Sequence, residues 1–236
     1  MMNTKVISYS LWGDVDTYNI GAIRNAEDAR IFFPSFECWF YIHKNSVPSS
    51  TINALLKNSN VRIIFKDGDL QDPNIKPMTW RFEAIDDPEV SIMMSRDTDS
   101  RFLFREQLAV QDWLDSGKTF HIMRDHPHHQ FKILGGMFGT RKIPNLNWLD
   151  KLNTITKHED RNYDQDFLAE CVYPLIKNDS IIHSNLVHFP DEMCIDFPIA
   201  YDIDFRFVGE YIYADGSRSN LHVEILKRNM IEKIYN

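Results

Sequence analysis

The chain has 236 residues, of which 43% are hydrophobic and 25% charged, so it can bury a sizeable core and does not have the composition of a disordered polymer. A formal net charge of −8 argues against a nucleic-acid partner gripped through a broad basic face. The three cysteines, Cys38, Cys171 and Cys194, form no C-x-x-C pair, which excludes a zinc ribbon, argues against a disulfide framework and favours a reducing compartment.

The first half alternates strand and helix signals. Met-Met-Asn-Thr-Lys leads into a strand at Lys5–Ser10 rather than a signal core. A loop with Gly13, Asp14 and Asp16 follows, then a helix over Asn19–Phe33 that Pro34 ends. Cys38–His43 reads as a second strand. Ser46-Val47-Pro48 opens a helix running through Leu55 and Leu56, and Val61–Phe65 is a third strand. Met78–Ile85 reads as a short helix and Val90–Ser95 as a fourth, apolar strand. Arg101–Ser116 is helical up to Gly117. Strands are expected at Thr119–Met123, around Ile133–Met137 and at Ser180–Ile182, and helices at Asn147–Leu152 and Tyr163–Ile176. Val187–Asn236 has weaker periodicity. No run approaches the ~18 apolar residues of a membrane span, so a cytoplasmic protein is expected. Strands separated by helices argue for an α/β fold with a mostly parallel sheet covered on both faces.

The fourth strand ends in Arg96-Asp97-Thr98-Asp99-Ser100-Arg101. Two carboxylates then stand just past a strand's C-terminal end, where open α/β sheets bind ligands. Hard divalent cations take oxygen ligands and often bridge substrate phosphates, so the pair suggests a metal-assisted transferase with a nucleotide-linked donor. The residues alone leave open a solvated Asx turn. Gly135-Gly136-Met137-Phe138-Gly139 matches neither phosphate-loop spacing and reads as a bulge or a close backbone approach to a ligand. His126, His128 and His129, around Pro127, match no metal-ligand spacing.

Taken in order, Tyr18-x-x-Gly21-Ala22-Ile23, Ser-Arg-Asp-Thr-Asp-Ser-Arg from Ser95, Arg124-Asp125-His126-Pro127, Ile133-Leu-Gly-Gly-Met-Phe-Gly139 and Asp164-Gln165-Asp166-Phe167-Leu168 resemble GT-A-fold glycosyltransferases. The likeness is to a small group of bacterial and large-virus proteins, and it spans roughly Lys5 to His183. It implies a single GT-A-like domain over 1–236, with a nucleotide-binding half (1–117) and an acceptor half that includes a small C-terminal extension (118–236). It also implies a nucleoside-diphosphate sugar donor, Mn²⁺ or Mg²⁺, a hydroxyl acceptor, and a donor site along the C-terminal edges of the sheet.

On that resemblance the metal ligands are Asp97 and Asp99, with His183 as a third and His188 as its fallback. Ser10, Trp12, Tyr18, Arg81, Asp97, Gly135 and Gly136 line the donor site, an aromatic residue stacking on the base. Asp125, Asp164 or Asp166 supplies the catalytic carboxylate, as base or as stabiliser of positive charge. A nucleotidyltransferase using the same acidic pair, a non-catalytic nucleotide-sugar-binding module and a metallohydrolase built on the histidine group are the alternatives.

Overall fold

The apolar runs of the N-terminal half become one block of parallel strands. A computed structural model describes residues 3–143, 146–155 and 162–235. In it β1 (Thr4–Leu11), α1 (Asp16–Phe32), β2 (Glu37–His43), α2 (Ser49–Leu55) and β3 (Val61–Lys66) precede a 3-10 segment (Pro77–Asp86) and β4 (Val90–Arg96). Then come α3 (Phe104–Ser116), β5 (Phe120–Arg124), β6 (Met137–Arg141), α4 (Trp148–Leu152), α5 (Tyr163–Phe167), a π-turn (Leu168–Val172) and α6 (Tyr173–Ile176). β7 (Ser180–Ser184), β8 (Cys194–Ile195) and α7 (Asn220–Tyr235) complete the chain. The eight strands form one sheet in the order β3-β2-β1-β4-β6-β5-β7-β8. β6 runs antiparallel to both of its neighbours, and the other pairs are parallel. The α/β expectation, a mostly parallel sheet flanked by helices, holds.

Both faces of the sheet are covered, so the central strands are apolar on both sides. Val6 of β1 joins one core with Trp39, Phe82, Phe138 and Phe167. Its neighbours Ile7 and Tyr9 join the opposite core with Ala22, Ala26 and Ala29 of α1. Those alanines are fully buried and let α1 lie close to the sheet. Gly117 closes α3 in the left-handed conformation (φ 70°).

Three elements differ from expectation. The strand expected around Ile133–Met137 starts only at Met137, and Gly135 and Gly136 form the turn that enters it. The carbonyls of those glycines are taken by side chains, Ser95 Oγ (2.6 Å) and Arg96 Nη1 (3.1 Å), instead of a strand ladder. The helix over Tyr163–Ile176 carries a π-turn in its middle. The C-terminal region holds α7, whose pattern is weak because Leu226 is its one fully buried residue among those described. No described helix is long and apolar enough to cross a membrane.

Because β6 is reversed, its entry turn lies at the same edge as the C-terminal ends of the parallel strands. That edge collects Trp12 after β1, Asp97 after β4, Asp125 after β5 and the Gly135–Gly136 turn. α1 is pinned to it. A Cβ on Gly21 would collide with the backbone carbonyl of Thr98, and Asn25 Nδ2 donates to the carbonyls of Asp97 (3.3 Å) and Thr98 (3.4 Å). Gly21→Ala forces helix and turn apart; it is expected to destabilise the fold by roughly 1–3 kcal/mol, read as a lower urea midpoint at unchanged m.

Candidate active site

Arg81 is the centre of this edge. It comes from the 3-10 segment, is 5% exposed, and its backbone N–H donates to Ser10 Oγ at 3.0 Å. Its guanidinium grips Asp97 through Nη1 and Asp164 through Nη2, the latter at 3.1 Å. Burial works against the charge of Arg81, but the two carboxylates outweigh it and hold its pKa above the ordinary value. Asp164 opens α5, is fully buried, and leaves Oδ1 without a hydrogen-bond partner. Burial pushes Asp164 up to about 6, with Asp97 adding to the rise and Arg81 opposing it. Asp97 is 46% exposed, so its far side faces outward. Burial and then the charge of Asp97 raise Asp99 to about 7.

Gly135 and Gly136 roof this cluster. A Cβ on Gly135 would strike Asp164 Oδ2 and Arg81 Nη2, and one on Gly136 would strike the Asp97 carboxylate. The turn is held from beneath by Arg96, whose guanidinium also meets Glu106 at 3.2 Å, both side chains being buried. Burial lifts Glu106 to about 7 despite Arg96. In sequence Arg96 reads as a flank of the acidic pair and a candidate phosphate contact, whereas here it is a buried support of the turn; Glu106 reads only as part of a helix's first turn.

The donor set suits a hard divalent cation. Asp97 and Asp99 offer carboxylate oxygens, Asp164 has an orphaned oxygen nearby, and the glycine roof keeps side-chain carbon away from Asp97. No group of three or more His, Cys, Asp or Glu is placed to hold a metal among the described residues. A cation at Asp97 and Asp99 would need further oxygens from outside the chain, as Mg²⁺-type ions take from substrate phosphates.

The β1–α1 loop is anchored on the other side of Arg81. Gly13 N–H donates to Ser46 Oγ (2.8 Å), and Asn19 Nδ2 donates to the carbonyls of Gly13 and Val15. Trp12, 36% exposed, stands edge-on to the buried Trp80 at 6.5 Å. Tyr18 is equally exposed at the start of α1. Of the expected donor-site residues, Ser10, Arg81, Asp97, Gly135 and Gly136 are linked by direct contacts, and Trp12 follows β1 at the same edge.

Other expected residues land elsewhere. His183 is not brought to the acidic pair: three inter-strand spacings, roughly 14 Å, separate β7 from β4. It is buried against His121 (Nδ1 to Nε2, 2.8 Å) and Asp112 of α3 (3.6 Å), on the face that α3 covers. His188 bonds the Ser184 carbonyl at 3.1 Å. Asp125 is fully buried and saturated: it accepts from Arg105 Nε and Nη2, Tyr201 Oη (2.8 Å) and Val208 N–H (2.9 Å). It clamps the C-terminal segment to the sheet. Asp166 is exposed, two residues past Asp164 and so on another face of the helix. The histidine group is packed around α7. His126 Nε2 meets the His222 carbonyl (3.0 Å), its Nδ1 accepts from His128 N–H, and His129 Nδ1 accepts from Asp125 N–H.

No known protein family's profile matches the chain, and no curated protein matches it. Among solved structures, a glycosyltransferase involved in the glycosylation of the major capsid of PBCV-1 overlaps 77% of this chain and 81% of that one, at 13% identity and a TM-score of 0.45. At that score the overlap carries no argument about function.

Arg81→Met leaves Asp164 as an uncompensated buried carboxylate. It is expected to cost about 3–5 kcal/mol in urea denaturation, part of which Asp164→Asn restores in the double variant. Burial lowers His129 to about 3 and His126 to about 4, so both rings are neutral in the folded state, while the unfolded chain takes up protons near pH 6.5. Their stabilisation is full above pH 6.5 and is lost as pH falls toward those values. His129→Gln keeps an acceptor and removes a titration. The stability advantage of the wild type over that variant should shrink by up to about 1.4 kcal/mol per pH unit between pH 6.5 and 4.

Proposed function

We propose that this protein is a glycosyltransferase that moves a sugar from a nucleoside-diphosphate sugar to an acceptor hydroxyl, with Mn²⁺ or Mg²⁺ held at Asp97 and Asp99. The observation that carries the reading is the convergence of Asp97, Arg81, Asp164 and the Gly135–Gly136 roof at the C-terminal edge of the sheet. It agrees with the ordered blocks by which the sequence resembles GT-A enzymes.

The bound cation supplies Lewis-acid neutralisation of the departing diphosphate. The chain's own groups do the rest. Trp12, backed by Trp80, offers an exposed ring at the end of β1 for the base. Gly135 and Gly136 let the donor sugar pass close to backbone. Arg81 fixes Asp97 and Asp164 relative to one another, so neither carboxylate must be reoriented during the reaction. Asp164, near pKa 6, is largely ionised at pH 7 and, from beneath the Gly135 backbone, adds negative charge that stabilises positive charge developing at the reacting carbon.

A thermal-shift panel of nucleoside-diphosphate sugars with and without Mn²⁺ tests this. One nucleotide together with metal should raise the midpoint, since a ligand of the folded state stabilises by mass action. Incubation with that donor alone should release nucleoside diphosphate and free sugar slowly; with an acceptor, nucleoside diphosphate should appear faster and the sugar should be found bonded to the acceptor. Asp97→Asn should abolish the metal-dependent shift. Asp164→Asn should keep the shift and lower turnover by about 10²-fold or more. Release of pyrophosphate from a nucleoside triphosphate supplied with a sugar 1-phosphate would support the nucleotidyltransferase instead. A panel in which no nucleotide sugar shifts the midpoint in a metal-dependent way contradicts the proposal.

A further inference from the structure

The C-terminal segment returns to the acidic turn. The Ile212 N–H donates to the Asp99 carbonyl at 2.8 Å, so Tyr211 and Tyr213 lie one residue to either side of a direct bond to the proposed metal-binding loop. The segment is a short hairpin there. Ile212 bridges Arg218 antiparallel, Tyr213 N–H donates to the Ser217 carbonyl, and Gly216 turns the chain at φ 84°.

The hairpin is braced from behind. Arg218 bonds Glu210 at 2.8 Å and caps the carbonyls of Asp204 and Phe205. Gly209, at φ 80°, lies so close to Met137 of β6 that a Cβ would strike its sulfur. Farther back, the Asp125 clamp ties Tyr201 and Val208 to the end of β5. Each tie fixes where the hairpin sits relative to the Gly135–Gly136 roof.

The two tyrosines use none of this bracing. Residues two apart in an extended segment share a face, and the rings of Tyr211 and Tyr213 meet edge to face at 4.9 Å. Tyr213 is 45% exposed and Tyr211 is half-buried. A rigid pair of phenols presents apolar ring faces and two hydroxyls at little entropic cost. That chemistry matches a pyranose ring, with one C–H-rich face and a rim of hydroxyls. Resting on the glycosyl-transfer reading, we propose that Tyr211 and Tyr213 form the acceptor subsite, a stacking platform for a saccharide whose hydroxyl is presented to the Asp97–Asp99 edge.

Saturation-transfer-difference NMR on the full chain with a panel of methyl glycosides (glucoside, galactoside, mannoside, xyloside, fucoside and rhamnoside, both anomers) tests the platform without needing turnover. The wild type should give strongest transfer to the C–H protons of one sugar face, and dissociation constants from titration should rise by about fivefold to tenfold in Tyr213→Ala and in Tyr211→Ala. Tyr213→Leu and Tyr211→Leu, which keep bulk and remove the π face, should weaken binding similarly, and Phe variants should retain most of it. Thermal midpoints near the wild type's identify folded variants. Glycoside binding that is unchanged in the folded Leu variants, or no binding by the wild type to any glycoside, overturns the proposal. The donor thermal shift separates the two readings. If the shift fails while glycosides bind at the tyrosines, the platform stands and the transferase reading falls. If the shift succeeds and the tyrosines are silent, the reverse holds.

Discussion

A single guanidinium organises this molecule's reactive edge. Arg81 is buried, yet it holds one carboxylate from the turn after β4 and another from the start of α5, segments far apart in sequence. Burying Arg81 with Asp164 is unfavourable unless geometry and hydrogen bonding repay it, and Asp97 meets the same guanidinium from a half-exposed position. Here the repayment is partial. Asp164 keeps an orphaned oxygen, and Asp99 is pushed toward neutral pH by burial and its neighbour's charge. Residual negative charge and an unpaired oxygen are the features on which the proposed cation site rests. Its other constraint is the glycine pair, which must lack side chains for the carboxylates to occupy their places at all.

The rest of the architecture serves that constraint. The reversed β6 brings the glycine turn to the edge where the parallel strands end. A second buried pair, Arg96 with Glu106, holds the turn from below. Gly21 and Asn25 seat α1 on the acidic turn, and the Asp125 clamp draws the C-terminal segment across it. Two polar networks, one at Arg81 and one at Asp125, thus divide roles that look alike in sequence. The first leaves oxygens with capacity to spare, and the second is saturated.

That division explains what the sequence could and could not reveal. The strands of the N-terminal half were legible because buried parallel strands are continuous apolar runs. Asp97 and the glycine pair stood out through the order of their blocks along the chain, whereas Arg81 carried no block of its own and its sequence left phosphate contact and structural ion pair equally open; its bonds to Asp97 and Asp164 are visible only in the fold. Asp125 and Asp164 look equivalent as acids near loops, and only the partners from Arg105, Tyr201 and Val208 distinguish an anchor from an unsaturated carboxylate. His183 was misplaced because a strand's period settles which face a residue takes only once the covering helix is known, and α3 covers it. The start of β6 was misread because Ile133 is fully buried without being in a strand. α7 escaped notice because, among its described residues, Leu226 is the one that is fully buried and its other contacts come from polar side chains such as His222 and Lys227, leaving no strong apolar stripe.

The claim that Asp97 and Asp99 hold a divalent cation is tested most directly by anomalous diffraction at the manganese edge, from crystals grown with MnCl₂ and a nucleoside diphosphate. The account predicts a manganese peak at carboxylate-bonding distance, about 2.2 Å, from an oxygen of Asp97 or Asp99, bridging to the diphosphate beneath the Gly135–Gly136 turn. A nucleotide bound with both side chains turned away and no anomalous peak beside them would contradict it.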